Sequence, residues 1–207
     1  MCLNNKKHNS SFKLRYHLLL ALNLNYSNKQ DFAIEILEPL TTSKYQDIES
    51  LLDIHLSLIV FYFQKTDFKK AHHIFSKFNH TDKWYIEKAG KEWVIKKNLI
   101  EILLHIELEN IDLVESRLLS FKRTYFKYLK DIKQERVITY LSLVENYYNN
   151  REIIESKEFR IKVENSFDWV EKKREDIFVM SFYAWLKSKM ENKNLYDCTL
   201  NLVNYSF

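Results

Sequence analysis

One glycine and one proline stand in a chain of 207 residues, where average usage of about 7% and about 5% would give about 25. Tight turns between strands need glycine for positive φ. Dinucleotide folds, P-loops and nucleophile elbows need it where backbone meets ligand. A chain with almost none of either residue is expected to be all-α, built of long helices. It is also expected to lack the loops on which most small-molecule catalysis rests, so no enzyme is expected.

Apolar residues make up 46% of the chain and charged residues 29%, enough for a sizeable core under a well-solvated surface. The net charge of +4 is carried by Lys6, Lys7, Lys13 and Arg15, which meet no acid before residue 16, so the rest of the chain sums to zero. Residues 1–10 read as a basic polar tail, and residues 11–207 as a single continuous helical domain. Cys2 and Cys198 lie at opposite ends with no metal-type spacing, which suits reduced thiols and a cytoplasmic location. The longest apolar run, Leu58–Phe63, is far short of the ~20 residues a membrane span needs.

Helical periodicity covers residues 11–26, 30–40, 44–64, 67–79, 82–107, 110–130, 133–149, 152–170, 174–190 and 194–206. In the third of these, Tyr45, Ile48, Leu52, Leu56, Ile59 and Phe63 recur every three or four residues, the period of one helical face. Leu113, Leu118, Phe121, Phe126 and Leu129 form a similar inward row in 110–130. Leu99, Ile100, Ile102, Leu103, Leu104 and Ile106 circle their helix, and Ile177–Leu186 is apolar all round as well. Such helices belong in an inner layer. The breaks are built of Asn, Asp, Ser, Thr and Lys, and Asn accepts the left-handed conformation that glycine usually takes at helix ends. Gly90 falls inside a helical pattern, where it marks a kink or a close helix approach.

Two segments align without gaps at an offset of 38. Leu20, Ala21, Leu24, Ala33 and Leu37 fall on Leu58, Ile59, Tyr62, Ala71 and Phe75, with His17 on His55 and Ile36 on Ile74. This pattern resembles the tetratricopeptide repeat (TPR), whose first helix carries Leu-small-x-x-Tyr and whose second carries a small residue followed by an aromatic. The likeness is clearest over residues 14–80 and its repeat is longer than the family's ~34. The whole resembles bacterial helical-repeat proteins with degenerate, lengthened repeats. The resemblance implies a right-handed αα-superhelix of about five antiparallel helix pairs, and a non-enzymatic scaffold that binds a peptide or helical partner in a concave groove. By the same resemblance Arg15, Leu18, Leu22 and Asn25, with Asp53, Leu56, Val60, Phe63 and Gln64, line that groove. Arg15 and Asn25 would hold a carboxylate or a peptide backbone. An exposed end of the array offers a place for a second copy.

The alternative partner is nucleic acid. Lys122, Arg123, Lys127, Lys130, Lys133 and Arg136 interleave with Tyr125, Phe126 and Tyr128, a mixture suited to tracking phosphates and stacking bases. Metal and cofactor sites find little support. The chain has no HExxH, and His73, His80 and Asp82 are only loosely spaced for zinc. Glu101 and His105 lack the second such pair that a di-metal bundle requires. No residue stands out as a nucleophile.

Overall fold

The computed structural model describes the backbone over residues 2–42, 47–166 and 177–205, with side chains over 12–42, 47–166 and 178–203. Among these residues the structure is helical, with no strand. The helices are α1 (Cys2–Tyr26), α2 (Gln30–Leu37), α3 (Ile48–Gln64), α4 (Phe68–Phe75), α5 (Asp82–Ala89), α6 (Lys91–Glu107), α7 (Ile111–Asp131), α8 (Glu135–Asn149), α9 (Lys157–Asn165), α10 (Ile177–Glu191) and α11 (Leu195–Tyr205). Short 3₁₀ turns cover Glu38–Thr42 and Arg151–Glu155. The chain divides into two compact units, Met1–Lys97 and Asn98–Phe207.

Helix starts follow ordinary capping chemistry. The side chains of Asp47, Asp67, Thr81 and Ser156 accept from the backbone N–H three residues on, opening α3, α4, α5 and α9. The Asn194 side chain does the same for α11, accepting from Tyr196 and Asp197. Each such oxygen satisfies a donor that a helix cannot pair internally.

Helix ends follow one plan five times. Asn28, Thr66, Glu109, Lys133 and Asn192 all have positive φ, between 49° and 61°. In each case the next residue donates its N–H to the carbonyl five positions back: Lys29 to Leu24, Asp67 to Tyr62, Asn110 to His105, Gln134 to Leu129, Lys193 to Ser188. This is the Schellman closure, which pairs orphan carbonyls at a helix C-terminus. Asn28 and Asn192 fit the expectation that Asn replaces glycine. Thr66, Glu109 and Lys133 make the same turn with residues that tolerate it less well.

In the first unit α1 packs on α2, α3 on α4, and α3 also meets α1, α2 and α5. The 38-residue offset has a physical counterpart here. Ala33 and Ala71 are both 0% exposed, as are Ala21 and Ile59, and the closures at Asn28 and Thr66 stand at the same separation. Small residues at these points let two helices approach closely. The Tyr62 hydroxyl ties α3 to the 3₁₀ turn by donating to the Glu38 carboxylate, and burial with that carboxylate nearby pushes the phenol well above its usual range. The second unit packs α7 on α8 and α10 on α11, with the turn Arg151–Glu155 against α8, α9 and α10. The all-apolar stretch of α6 is buried as expected, and so is Met180–Leu186 of α10, Trp185 completely, while Phe178 and Val179 are half-buried and the Ile177 side chain lies outside the described residues.

Several expectations need correction. Residues 82–107 form two helices, because Gly90 takes φ 88° and ψ 164° and ends α5. A Cβ there would meet nothing within 4 Å, so the glycine serves backbone conformation and not close approach. The inward row of α7 is Val114, Leu118, Phe121, Tyr125 and Leu129. Leu113 is exposed and Phe126 half-buried, because the true row is set one residue away at two of its five positions. Ile48 is exposed too, and Tyr45 lies outside the described residues. The backbone of the expected polar tail is helical from Cys2. Residues 152–170 begin with a 3₁₀ turn before α9, and those beyond 166 fall outside the description.

Candidate functional site

The nine groove positions separate into two sets. Leu56, Val60, Phe63 and Gln64 of α3 and Asn25 of α1 are buried, each at most 2% exposed. The Asn25 amide nitrogen donates to Gln64 Oε1 at 2.9 Å, and Gln30 Nε2 donates to Asn25 Oδ1 at 3.2 Å and to the Phe61 carbonyl at 3.3 Å. This chain of amides joins α1, α2 and α3. It satisfies buried polar groups that would otherwise be costly, and it takes Asn25 and Gln64 out of any groove. The physical reason is that α1 packs directly on α3, so this stretch of the face is a helix contact. Arg15 is exposed, while Leu18, Leu22 and Asp53 are half-buried.

A polar cluster surrounds those accessible positions. Arg15 Nη2 lies 3.8 Å from Glu49 Oε1, both largely exposed, a pair of small energetic weight. Asp53, one turn after Glu49, has its carboxyl raised above the usual range. Burial is the main cause and the Glu49 charge adds to it; the Trp93 indole, Lys96 and Arg15 oppose without cancelling. Trp93 belongs to the first turn of α6 and is 7% exposed. Its Nε1–H is directed toward the Asp53 carboxyl, which it favours in the charged form as a donor, yet no acceptor lies at normal hydrogen-bond length, and among the described residues it is the one fully buried side-chain donor left so. The ring is fixed by stacking on Tyr85 at 5.5 Å and by an edge contact with Phe78 at 5.5 Å. The cluster thus combines a carboxylate held against its preference for charge and a rigid donor without a close acceptor, beside an ion pair open to water. Sequence reading missed Trp93. Carrying the 38-residue offset one step past His17 and His55 lands on it, and that was the available signal.

The basic segment is only partly a surface. Arg123, Lys127 and Lys130 are exposed, and their spacing of four and three puts them in one row on α7. Lys133 and Arg136 are exposed beyond the helix end, with Arg136 Nε donating to Gln134 Oε1 at 3.2 Å. Lys122 is turned away and held by Glu145 of α8. Tyr125 is 2% exposed, and Phe126 and Tyr128 are half-buried. The row of cations is therefore present without the open stacking rings that the sequence suggested.

His73, His80 and Asp82 are each engaged differently. His73 is exposed, His80 stacks on Trp84 with ring centres 4.0 Å apart, and Asp82 accepts from Lys97 Nζ at 3.0 Å. No group of three or more His, Cys, Asp or Glu is placed to hold a metal among the described residues. Glu101 accepts from Arg117 Nε at 2.8 Å, with His105 Nε2 at 4.0 Å, an arrangement of ion pairing inside the second unit. Burial pushes the Cys198 thiol up, away from nucleophilic character. No described helix is long and apolar enough to cross a membrane. No family model, curated protein or solved structure matches the chain.

Proposed function

We propose that this chain is a non-enzymatic interaction module of the helical-repeat type, and that the first unit receives an extended peptide segment at the Arg15, Glu49, Asp53, Trp93 and Lys96 cluster. The observation that carries this reading is the pairing of the buried Trp93 N–H, without a close acceptor, with the raised Asp53 carboxyl. A peptide amide answers both groups at once: its carbonyl accepts from the indole, and its N–H adds a donor to a carboxyl that the Trp93 indole, Lys96 and Arg15 already face. Buried groups left imperfectly paired destabilise a fold, and strained ionisation of this kind gathers at functional sites. Leu18 and Leu22 add apolar surface beside the cluster. The wider solenoid of about five helix pairs, and assembly with a second copy, belong to the same reading.

The test is selection of binders from a random-peptide display library on the full chain, followed by the substitutions Trp93→Phe and Asp53→Lys. Trp93→Phe keeps the ring and removes only the donor. Enriched peptides that lose affinity by about tenfold with Trp93→Phe, the weight of one good hydrogen bond, support the reading. Peptides indifferent to both changes, or no enrichment, overturn it.

A second reading rests on the row Arg123, Lys127 and Lys130. Three aligned cations suit a phosphate backbone, and such binding falls steeply with salt. Titration with single-stranded homopolymer DNA at two salt concentrations tests it. Affinity that is salt-insensitive, or unchanged by reversing the three charges, removes it.

A further inference from the structure

The segment that follows α4 folds back over the start of α3 and leaves a cleft of about 210 Å³. This is below the roughly 300–1,000 Å³ of drug-sized sites, and is room for one ring with a short arm. Its walls are aromatic. His80 and Trp84 lie nearly parallel, 18° apart with centres at 4.0 Å. Phe78 and Tyr85 meet edge to face at 5.6 Å, and Tyr85 meets Trp84 the same way at 5.1 Å. Leu51 and Leu52 of α3 close the opposite side. Walls of this kind select flat rings, which stack or meet edges favourably.

Polar groups break the apolar lining at His55, Lys77, Asn79, His80 and Tyr85, and the first two have a defined sense. His55 Nδ1 lies 2.7 Å from the Leu51 carbonyl. A carbonyl only accepts, so Nδ1 carries the proton. Burial outweighs the opposing hydrogen bond to Leu51, Lys77 adds to it, and the ring is held below the ordinary histidine range, so it is neutral near pH 7 and Nε2 is an acceptor. Lys77 is exposed, lines the same cleft, and has no ion-pair partner among the described residues. The cleft therefore sets an acceptor, His55 Nε2, and a cation, Lys77, beside its aromatic walls, and shares no residue with the peptide cluster.

We infer that this cleft binds a small aromatic acid whose ring bears an O–H or N–H donor: the ring lies among Phe78, Trp84 and Tyr85, the donor meets His55 Nε2, and the carboxylate meets Lys77. Each element of the occupant answers a group in the wall. A purely apolar molecule leaves the His55 acceptor unpaired, and a charged aliphatic one gains nothing from the rings.

The probe is 4-hydroxyphenylacetate, titrated into the full chain by calorimetry and followed by the His55 and His80 ring signals in NMR. Saturable binding that shifts both rings is expected. Phenylacetate lacks only the donor and 4-cresol only the carboxylate, and each is expected to bind about tenfold more weakly, the scale of one hydrogen bond to a charged or well-placed partner; cyclohexylacetate lacks both the flat ring and the donor and is expected to bind more weakly still. Lys77→Glu, a surface change that leaves the core intact, is expected to cost at least as much for the acid, and less for 4-cresol, which has no carboxylate to repel. Absence of saturation overturns the inference. So does cyclohexylacetate binding as well as the probe, or affinity for the acid that survives Lys77→Glu. The peptide reading fails or stands separately, since Trp93→Phe leaves this cleft's polar groups in place.

Discussion

Two buried seams, one in each unit, pair their polar groups by different means. In the first, the seam of α1, α2 and α3 is joined by neutral amides, Gln30 to Asn25 to Gln64. In the second, two buried or nearly buried carboxylates are held by strong donors: Glu101 by Arg117, and Glu107, which accepts from the Trp185 indole at 2.7 Å and from Lys189 at 2.7 Å. An amide needs only partners with donors and acceptors, so it tolerates a seam made by close-packed small residues. A buried carboxylate needs a cation or a strong donor aimed at it, and these come here from α7 and α10. The seam of the first unit is thus joined by neutral amides between repeated helices, and the carboxylates of the second by charged or strong donors.

The sharpest test of that contrast is Trp185→Ala. It removes a fully buried ring and one of the two partners of Glu107, and is expected to cost about 3–5 kcal/mol in chemical denaturation. A much smaller loss would mean that the second unit is not organised around this residue. Next in size is Ala71→Leu, expected to cost about 1–3 kcal/mol by overpacking. Ala33→Leu is expected to match it, and unequal melting shifts would break the equivalence of the two positions.

Asp53→Asn addresses the site. The folded carboxyl is raised, so the fold binds a proton more readily than the unfolded chain does, and stability falls as pH rises through the folded value. Asn removes that penalty. The variant is expected to melt higher than the parent at neutral pH, with the gap closing in acid where the parent carboxyl is protonated. A variant less stable at neutral pH would show that the carboxylate is structural. Smallest of all, Arg123→Glu is expected to stay within about 0.5 kcal/mol. Lys122→Glu, which sets like charge against Glu145, is expected to cost more, and equal melting temperatures would dissolve the distinction between a held and a free cation.

Much of the architecture was legible because it follows from period and composition. The encircling apolar residues of α6, the buried face of α10 and the small residues Ala33 and Ala71 all behave as their spacing requires. What escaped was decided by single conformations and by partners far along the chain. Gly90 ends a helix through its φ, although the apolar period runs straight through it. Tyr125 and Phe126 compete for one inward position, and a helical period cannot choose between adjacent aromatics. Asn25 and Gln64 read as groove polar groups, yet they bond to each other across 39 positions. Trp93 was missed altogether, and only its surroundings reveal an indole N–H without a close acceptor.

The five left-handed helix closures carry a consequence for mutation. Each turn is held by main-chain bonds, so the residue at its apex conveys almost no instruction, and Asn, Thr, Glu and Lys all serve there. Substitutions can accumulate at these corners without redirecting the chain. The geometry of such a molecule can outlast recognisable likeness in its letters, since the points that steer its path are the ones least written in side chains.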